Sequence, residues 1–120
     1  MPHIKKSYYM TTTLVDFFPL THDIAAALKE SGAENGIVHV VVPKAGAGLF
    51  IFKNSPELQK ELSAAVQPTL LPRSLTLPVV NGETPLAPYE EVILVDVDPR
   101  SQRREVVIAV TVEGGKAAES

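Results

Sequence analysis

The amino-acid sequence predicts an α+β fold with antiparallel sheets. Its predicted elements run strand, helix, two strands, helix and then at least three strands. Strands that follow one another directly can pair as antiparallel neighbours, whereas a Rossmann-type parallel sheet needs a helix after each strand. The chain has 120 residues, of which 45% are hydrophobic and 21% are charged. These values are ordinary for a folded protein and predict one domain over residues 1–120.

The first part of the chain is predicted to place one helix between two strands. Ile4–Leu14 is rich in tyrosine and threonine, which favours a strand. Thr21–Ser31 is predicted as a helix that its first threonine caps and that Gly32 ends. Gly36–Pro43 is predicted as a buried strand that is apolar on both faces except at His39.

The middle of the chain carries a turn, a strand and a second helix. The strand Gly48–Phe52 follows a glycine-containing turn at Lys44–Gly46. The residues Ser55–Glu57 are typical of a helix start, since they supply a capping hydroxyl, a proline and an acid in the first turn. Pro68 is predicted to end this helix.

Three strands are predicted in the last part of the chain. Arg73–Val80 contains Pro78, which indicates an edge strand or a bulge, and Asn81-Gly82 is typical of a hairpin turn. Glu91–Val97 and Arg104–Val112 are joined by a short connection and are therefore predicted to pair with each other. The last strand is apolar on both faces, so we expect it to be central in a sandwich or covered by another subunit.

Composition argues against several kinds of functional site. The lack of cysteine excludes disulfides, thiolate zinc sites and cysteine nucleophiles, and it fits a reducing cytoplasm. A net charge of −3 without a basic stripe argues against nucleic-acid binding. We find no signal-peptide pattern and no apolar run long enough to span a membrane. The three histidines, His3, His22 and His39, have no ligand spacing, so neither a metal nor another cofactor is predicted.

Acidic residues cluster at the end of the predicted strand Glu91–Val97. Asp96 and Asp98 share one face there and offer oxygen ligands for a hard cation. The simpler interpretation is that they are solvated turn acids. Arg100, Arg103 and Arg104 follow closely and are candidate partners for these carboxylates.

The chain contains three strings whose residues and order resemble those of the YjbQ family. They are Pro43–Lys53, Ser74–Gly82 and Ala87–Glu91. The corresponding family strings are P-H-T-T-A-S-L-T-I-N-E, then G-x-S-x-x-I-P-V-x-x-G, then G-T-W-Q-G. This family is also called the secondary thiamine-phosphate synthase family, and the resemblance extends over Lys5–Glu113. It implies an antiparallel β-sandwich of about seven strands with two helices, assembled as a homotrimer.

The chain departs from the family pattern where the family carries its histidine, glutamate and aspartate. The connection Gln67–Pro72 also lacks the family insertion with further histidines and aspartates. A protonated lysine and a phenylalanine offer no lone pair to a metal or a proton, so no catalytic residue is predicted. The replaced positions hold Lys44, Ala45, Gly46, Gly48, Phe52 and Lys53.

The leading prediction is a diverged, non-catalytic homotrimer that binds a small anionic ligand at a subunit interface. Glycine-rich turns expose backbone N–H groups that can hold a phosphate, although ordinary turn charges are the simpler interpretation. Two alternatives stay open: a transferase resembling thiamine-phosphate synthase that uses Lys44, Glu90 and arginines, and a protein-interaction module. The candidate ligand-binding residues are Lys44, Gly46, Gly48, Lys53, Glu90 and Arg100.

Overall fold

A computed structural model describes residues 2–66 and 70–113 of the chain. Within these residues it contains seven strands and two helices, which confirms the predicted α+β class. Pro68, the predicted end of the second helix, lies outside the described residues. The elements are β1 His3–Met10, β2 Asp16–Pro19, α1 Thr21–Ser31, β3 Asn35–Val41, β4 Ala47–Lys53, α2 Pro56–Ala65, β5 Ser74–Val80, β6 Glu90–Asp96 and β7 Arg103–Val112.

The described strands form two antiparallel sheets that share one core. A four-stranded sheet has the order β1-β7-β3-β5, and a three-stranded sheet has the order β2-β6-β4. Val38 and Ile108 of the first sheet and Leu94 of the second are fully buried in the common core. Alternate residues of β7 supply its inner face, as the period of two predicts. This architecture is the sandwich of about seven strands that the sequence suggested.

Helix α1 has the predicted bounds but not the predicted cap. Gly32 ends it in the left-handed conformation, with φ at +69°, and donates to the carbonyl oxygens of the preceding turn. Leu20 occupies the cap position and makes no side-chain cap bond. The Thr21 hydroxyl instead donates to Glu91 Oε1 at 2.5 Å, because a carboxylate is a stronger acceptor than a neutral group.

Helix α2 begins as predicted and lies on the outside of the molecule. The Ser55 hydroxyl accepts a hydrogen bond from the Leu58 N–H at 3.3 Å, and Pro56 is the first helical residue. None of the residues of α2 is buried. The apolar stripe that the sequence predicts is therefore only partly covered by the described part of the chain.

The first predicted strand is too long, and a second strand was not predicted. Strand β1 ends at Met10, four residues before the predicted end. The Thr12 N–H then donates to Asp16 Oδ2 at 2.8 Å, which turns the chain into the four residues of β2. Such a side-chain turn competes with the extended backbone that the run of threonines favours.

The predicted pairing of the last two strands is wrong. Strand β6 lies between β2 and β4, whereas β7 lies between β1 and β3 in the other sheet. Each strand therefore already has a neighbour on both of its edges, so neither can pair with the other. The central position of β7 is one of the two alternatives that its apolar faces allowed.

The predicted hairpin turn at Asn81-Gly82 is present, but it closes only a single antiparallel bridge, between Val80 and Glu83. Both residues have a positive φ, +54° and +80°, as that dipeptide favours. The strands on either side belong to different sheets, so they do not pair. Pro78 does lie on an edge strand, β5, as expected.

Strand β3 is buried on one face only, which corrects the prediction of burial on both faces. Val38 and Val40 point into the core, whereas Ile37 and Val41 are exposed on the outer face of the four-stranded sheet. His39 lies on that outer face too, where its Nδ1 is 2.8 Å from Thr76 Oγ1. Among the described helices, none is long and apolar enough to cross a lipid bilayer.

Candidate functional site

The Lys44–Gly46 turn lies on a buried ion pair. Arg104, at the start of β7, is 2% exposed, and its Nε donates to the buried Asp96 Oδ2 at 2.7 Å. Its Nη1 donates to the carbonyl oxygens of Lys44 and Ala45, both at 3.1 Å. One guanidinium therefore joins the two sheets and holds the turn between β3 and β4.

The carbonyl groups of this turn point inward, so its amide groups point outward. Besides the two carbonyls that Arg104 binds, the Gly46 carbonyl accepts from the Val97 N–H at 2.9 Å. The described peptide bonds are trans, and in a trans peptide the N–H points opposite to the carbonyl. The amides of Ala45–Ala47 therefore face away from the cluster. Lys44 is exposed on the same turn.

Glycine at position 46 allows the turn to lie this close to the charged cluster. Gly46 has a φ of +104°, and a Cβ there would lie 3.0 Å from both Arg104 Nη2 and Asp98 Oδ2. The Nη2 group is buried and has no hydrogen-bond partner among the described residues. A side chain at position 46 would therefore press on this donor and on the Asp98 carboxylate.

Asp98 is held beside the turn by four N–H donors of Arg100 and Gln102, one of which is the Arg100 backbone N–H at 2.9 Å from Oδ1. Arg100 donates from Nε to Asp98 Oδ1 at 3.1 Å and from Nη2 to Oδ2 at 3.0 Å, and Gln102 donates to Oδ2 at 2.9 Å. The Arg100 bonds hold the pKa of the Asp98 carboxyl well below its usual range. Asp98 therefore stays negatively charged, and Arg100 is occupied by it, although most of the arginine side chain is exposed.

Gly48 packs directly against the segment that precedes β5. It is buried, and a Cβ there would lie 3.1 Å from both the Leu71 Cβ and the Pro72 carbonyl oxygen. The same carbonyl oxygen accepts from the Leu49 N–H at 2.7 Å. The missing side chain thus lets the segment before β5 approach β4.

Lys53 and Glu90 lie together, but far from the turn. They are register partners at the opposite end of the β4–β6 ladder from Ala47. Six residues of strand separate them from the turn, which corresponds to about 20 Å. The Glu90 carboxylate accepts from the Ala87 N–H at 3.1 Å. Of the six candidate residues, the structure therefore places Lys44, Gly46 and Arg100 around the turn, and Lys53 and Glu90 at the other end of β4.

Two of the three arginines that the sequence offers as partners for the aspartates do pair with them. Arg100 pairs with Asp98 and Arg104 with Asp96, whereas Arg103 lies over the Tyr8 ring at 3.9 Å. The contact between Arg104 and the turn carbonyls was not predicted. The sequence does contain a signal for the burial of Arg104, because alternation along the strand from Val106 backwards places position 104 on the inner face.

The side chains of the turn do not suit a metal ion. Lys44 presents an ammonium, and Ala45 and Gly46 present no donor atom with a lone pair. Between residues 2 and 66 and between 70 and 113, no three histidine, aspartate or glutamate side chains are grouped as a metal site. A ligand on the outer side of the turn would instead meet amide hydrogens and a positive charge.

Comparisons with known proteins agree on one family. The sequence model described as UPF0047 protein, YjbQ-like, matches residues 6–69, which is more than half of the chain. A UPF0047 protein from Methanothermobacter thermautotrophicus is 24% identical to it. That alignment covers 82% of this chain and 86% of the relative.

Solved structures share the fold over nearly their whole length. A YbjQ-like protein of unknown function from Sulfolobus solfataricus superposes with a TM-score of 0.84 at 18% identity, over 94% of this chain and 99% of the other. An uncharacterised conserved protein of the YjbQ/UPF0047 family from Clostridium acetobutylicum gives 0.80 at 18% identity, over 89% and 99%. At this level of identity the likeness concerns the fold.

Proposed function

We propose that this chain, which belongs to the UPF0047 family of YjbQ-like proteins, is a diverged, non-catalytic member that binds a small anion. The ligand lies on the outer side of the Lys44–Gly46 turn. One observation carries the proposal: Arg104 holds the Lys44 and Ala45 carbonyl oxygens at 3.1 Å. This contact directs consecutive amide groups outward beside an exposed ammonium, an arrangement that suits phosphate and carboxylate groups.

The charges around the turn favour a small ligand of low charge. Arg104 and Arg100 are each paired with an aspartate, so these four groups have no net charge. The Lys44 ammonium is the charge that remains at the turn. Two hydrogen bonds to a charged ligand contribute about 1.5–3 kcal/mol each, which predicts affinity near the millimolar range.

The residues at the replaced positions support a non-catalytic role. Lys44, Phe52 and Lys53 stand where the resemblance places the family's histidine, asparagine and glutamate. Neither an ammonium nor a phenyl ring can act as a general base or bind a metal. Phe52 and Lys53 also lie at the far end of β4 from the turn. A diverged binding protein is therefore favoured over an enzyme resembling thiamine-phosphate synthase.

We also propose a homotrimer that forms through α2 and the adjacent face of β4. The apolar residues of α2 are only partly covered, and they line a groove of about 360 Å³ together with Phe50 and Phe52. Strand β4 is an edge strand, and edges beside open apolar surface favour association. The number of subunits, three, is the one that the family resemblance implies. Because β4 starts at the Lys44–Gly46 turn, a partner along this edge would border the anion site.

A cytoplasmic location completes the proposal. The 120 residues contain no cysteine, and a protein that relies on no disulfide suits a reducing compartment. Fluorescence microscopy of the tagged chain or cell fractionation would test this location, and recovery in an oxidising compartment would contradict it.

Titration of the intact protein with inorganic phosphate tests the anion site. We expect saturable NMR shifts at the Ala45 and Gly46 amides, and about fivefold weaker binding in Lys44→Ala, because one exposed charge contribution is lost. Lys6→Ala is the matched control, since Lys6 is an exposed lysine on β1. The proposal would be contradicted if the NMR shifts of the Ala45 and Gly46 amides did not change at about 50 mM phosphate, a concentration well above the expected dissociation constant.

A further inference from the structure

A groove separate from the turn runs along α1. Its volume is about 520 Å³, and it lies between α1 and the segment 82–90. Glu90, which lines it, is the register partner of Lys53 and so lies about 20 Å along the sheet from the Lys44–Gly46 turn. The volume falls within the range of sites that hold small organic molecules.

The groove is open because the residues along it are small. A Cβ added to Gly32 would meet no atom within 4 Å, and one added to Gly82 would meet only the Ala33 carbonyl oxygen at 3.9 Å. Both glycines have a positive φ, +69° and +80°, so the turns they form disfavour the side chains that would fill the space. Ala25 and Ala87 continue this small lining.

The floor and the far wall of the groove are preformed. Ile24, Leu28 and Val92 line it and are at most 6% exposed, so they belong to the core. The Gly82 N–H donates to the Glu34 carbonyl oxygen at 2.8 Å. A ligand would therefore meet an apolar surface whose position the fold already sets.

The rim of the groove carries more negative than positive charge. Glu83 and Glu90 line it together with a single cation, Lys29. Glu83 is exposed at the rim, and no described cationic group lies within the salt-bridge distance of it. The carboxyl end of α1, which carries a partial negative charge, is next to Glu83 through Gly82 and Ala33.

We propose that this groove binds a small organic cation with an apolar body. The ammonium group lies against Glu83, and the apolar body lies on Ile24, Leu28 and Val92. A carboxylate ligand would be repelled by the two glutamates, and a neutral ligand would gain no attraction from them. This site does not depend on the proposed anion site.

Three probes of similar shape test the charge preference: phenethylammonium, 2-phenylethanol and 3-phenylpropionate. We expect the ammonium to bind most tightly, by about fivefold over the alcohol, with NMR shifts at Gly32, Gly82 and Thr84. Glu83→Gln should remove this preference. Equal or tighter binding of the alcohol or the carboxylate would overturn the proposal.

A groove-filling variant tests the location. Ala25 is exposed on α1 and lines the groove, so Ala25→Leu should fill it and abolish ammonium binding without disturbing the helix. Ala64→Leu, on the exposed face of α2, is the matched control and should bind as the natural chain does. Binding that survives Ala25→Leu would overturn the assignment. Phosphate shifts at Ala45 and Gly46 should be unchanged in this variant, which separates this site from the anion site.

Discussion

Arg104 Nε donates to Asp96 Oδ2 at 2.7 Å, and this buried pair joins the two sheets at the end where the Lys44–Gly46 turn lies. The side chains are 2% and 0% exposed. Such a pair costs desolvation energy when it forms, but the loss of one partner leaves an uncompensated buried charge.

Arg104→Met is expected to lower the free energy of unfolding by about 3–5 kcal/mol, because Asp96 loses its partner while it stays buried. Urea unfolding followed by circular dichroism measures the change. A loss below about 1 kcal/mol would mean that Asp96 is hydrated in the folded protein.

The double variant Arg104→Met with Asp96→Leu separates stability from the orientation of the turn. We expect it to regain part of the lost stability, since the unpaired charge is removed. Phosphate shifts at Ala45 and Gly46 should be absent in both the single and the double variant, because Arg104 no longer holds the turn carbonyls. Restored phosphate binding in this variant would show that the turn needs no contact from Arg104.

Gly46→Ala is expected to destabilise the protein by about 1–3 kcal/mol more than Gly32→Ala. Both positions have a positive φ, but a Cβ at 46 would lie 3.0 Å from Arg104 Nη2 and Asp98 Oδ2, whereas one at 32 meets no atom within 4 Å. Thermal or urea unfolding of the two variants measures the difference. Equal losses would show that only the backbone angle matters.

A low pH is expected to destabilise the folded protein, because it protonates the Asp98 carboxylate. The folded pKa of this carboxyl lies below its unfolded value, because Arg100 donates hydrogen bonds to it. Its stabilising contribution is therefore complete above the unfolded pKa of about 3.9 and is lost as the pH falls toward the folded pKa. Urea unfolding between neutral pH and pH 2 measures this slope. Asp98→Asn should be less stable than the natural chain at neutral pH and should show a flatter slope below about pH 4.

Leu62→Glu is expected to convert the proposed homotrimer to a monomer, because it places a charge in the apolar stripe of α2. Analytical ultracentrifugation measures the mass. Ala64→Glu is the matched control, since Ala64 is exposed and lies about 200° around the helix from Leu62. A natural chain that sediments as a monomer would contradict the proposed assembly.

Features that depend on neighbours in sequence were predicted well. Gly32 and the residues Ser55 and Pro56 set helix ends through bonds within a few residues. The Asn81-Gly82 turn likewise follows from backbone preferences of its own residues. Such signals act over short range, so a single sequence contains them in full.

Strand partners and one cap could not be predicted from the sequence. The short connection between β6 and β7 is compatible with a hairpin, but each strand finds both of its neighbours elsewhere. The Thr21 hydroxyl donates to Glu91, 70 residues away, instead of capping its own helix. Contacts at such separations depend on how the two sheets pack together.

The sequence by itself determined the helices, the number of strands expected from the family resemblance, and the replacement of the family's lone-pair residues at positions 44, 52 and 53. Only the tertiary structure decided that these positions lie at opposite ends of β4 and that Arg104 holds the turn. The physical reason is that local preferences come from short-range backbone and side-chain forces. The direction of the turn amides depends on Arg104, which is about 60 residues away along the chain.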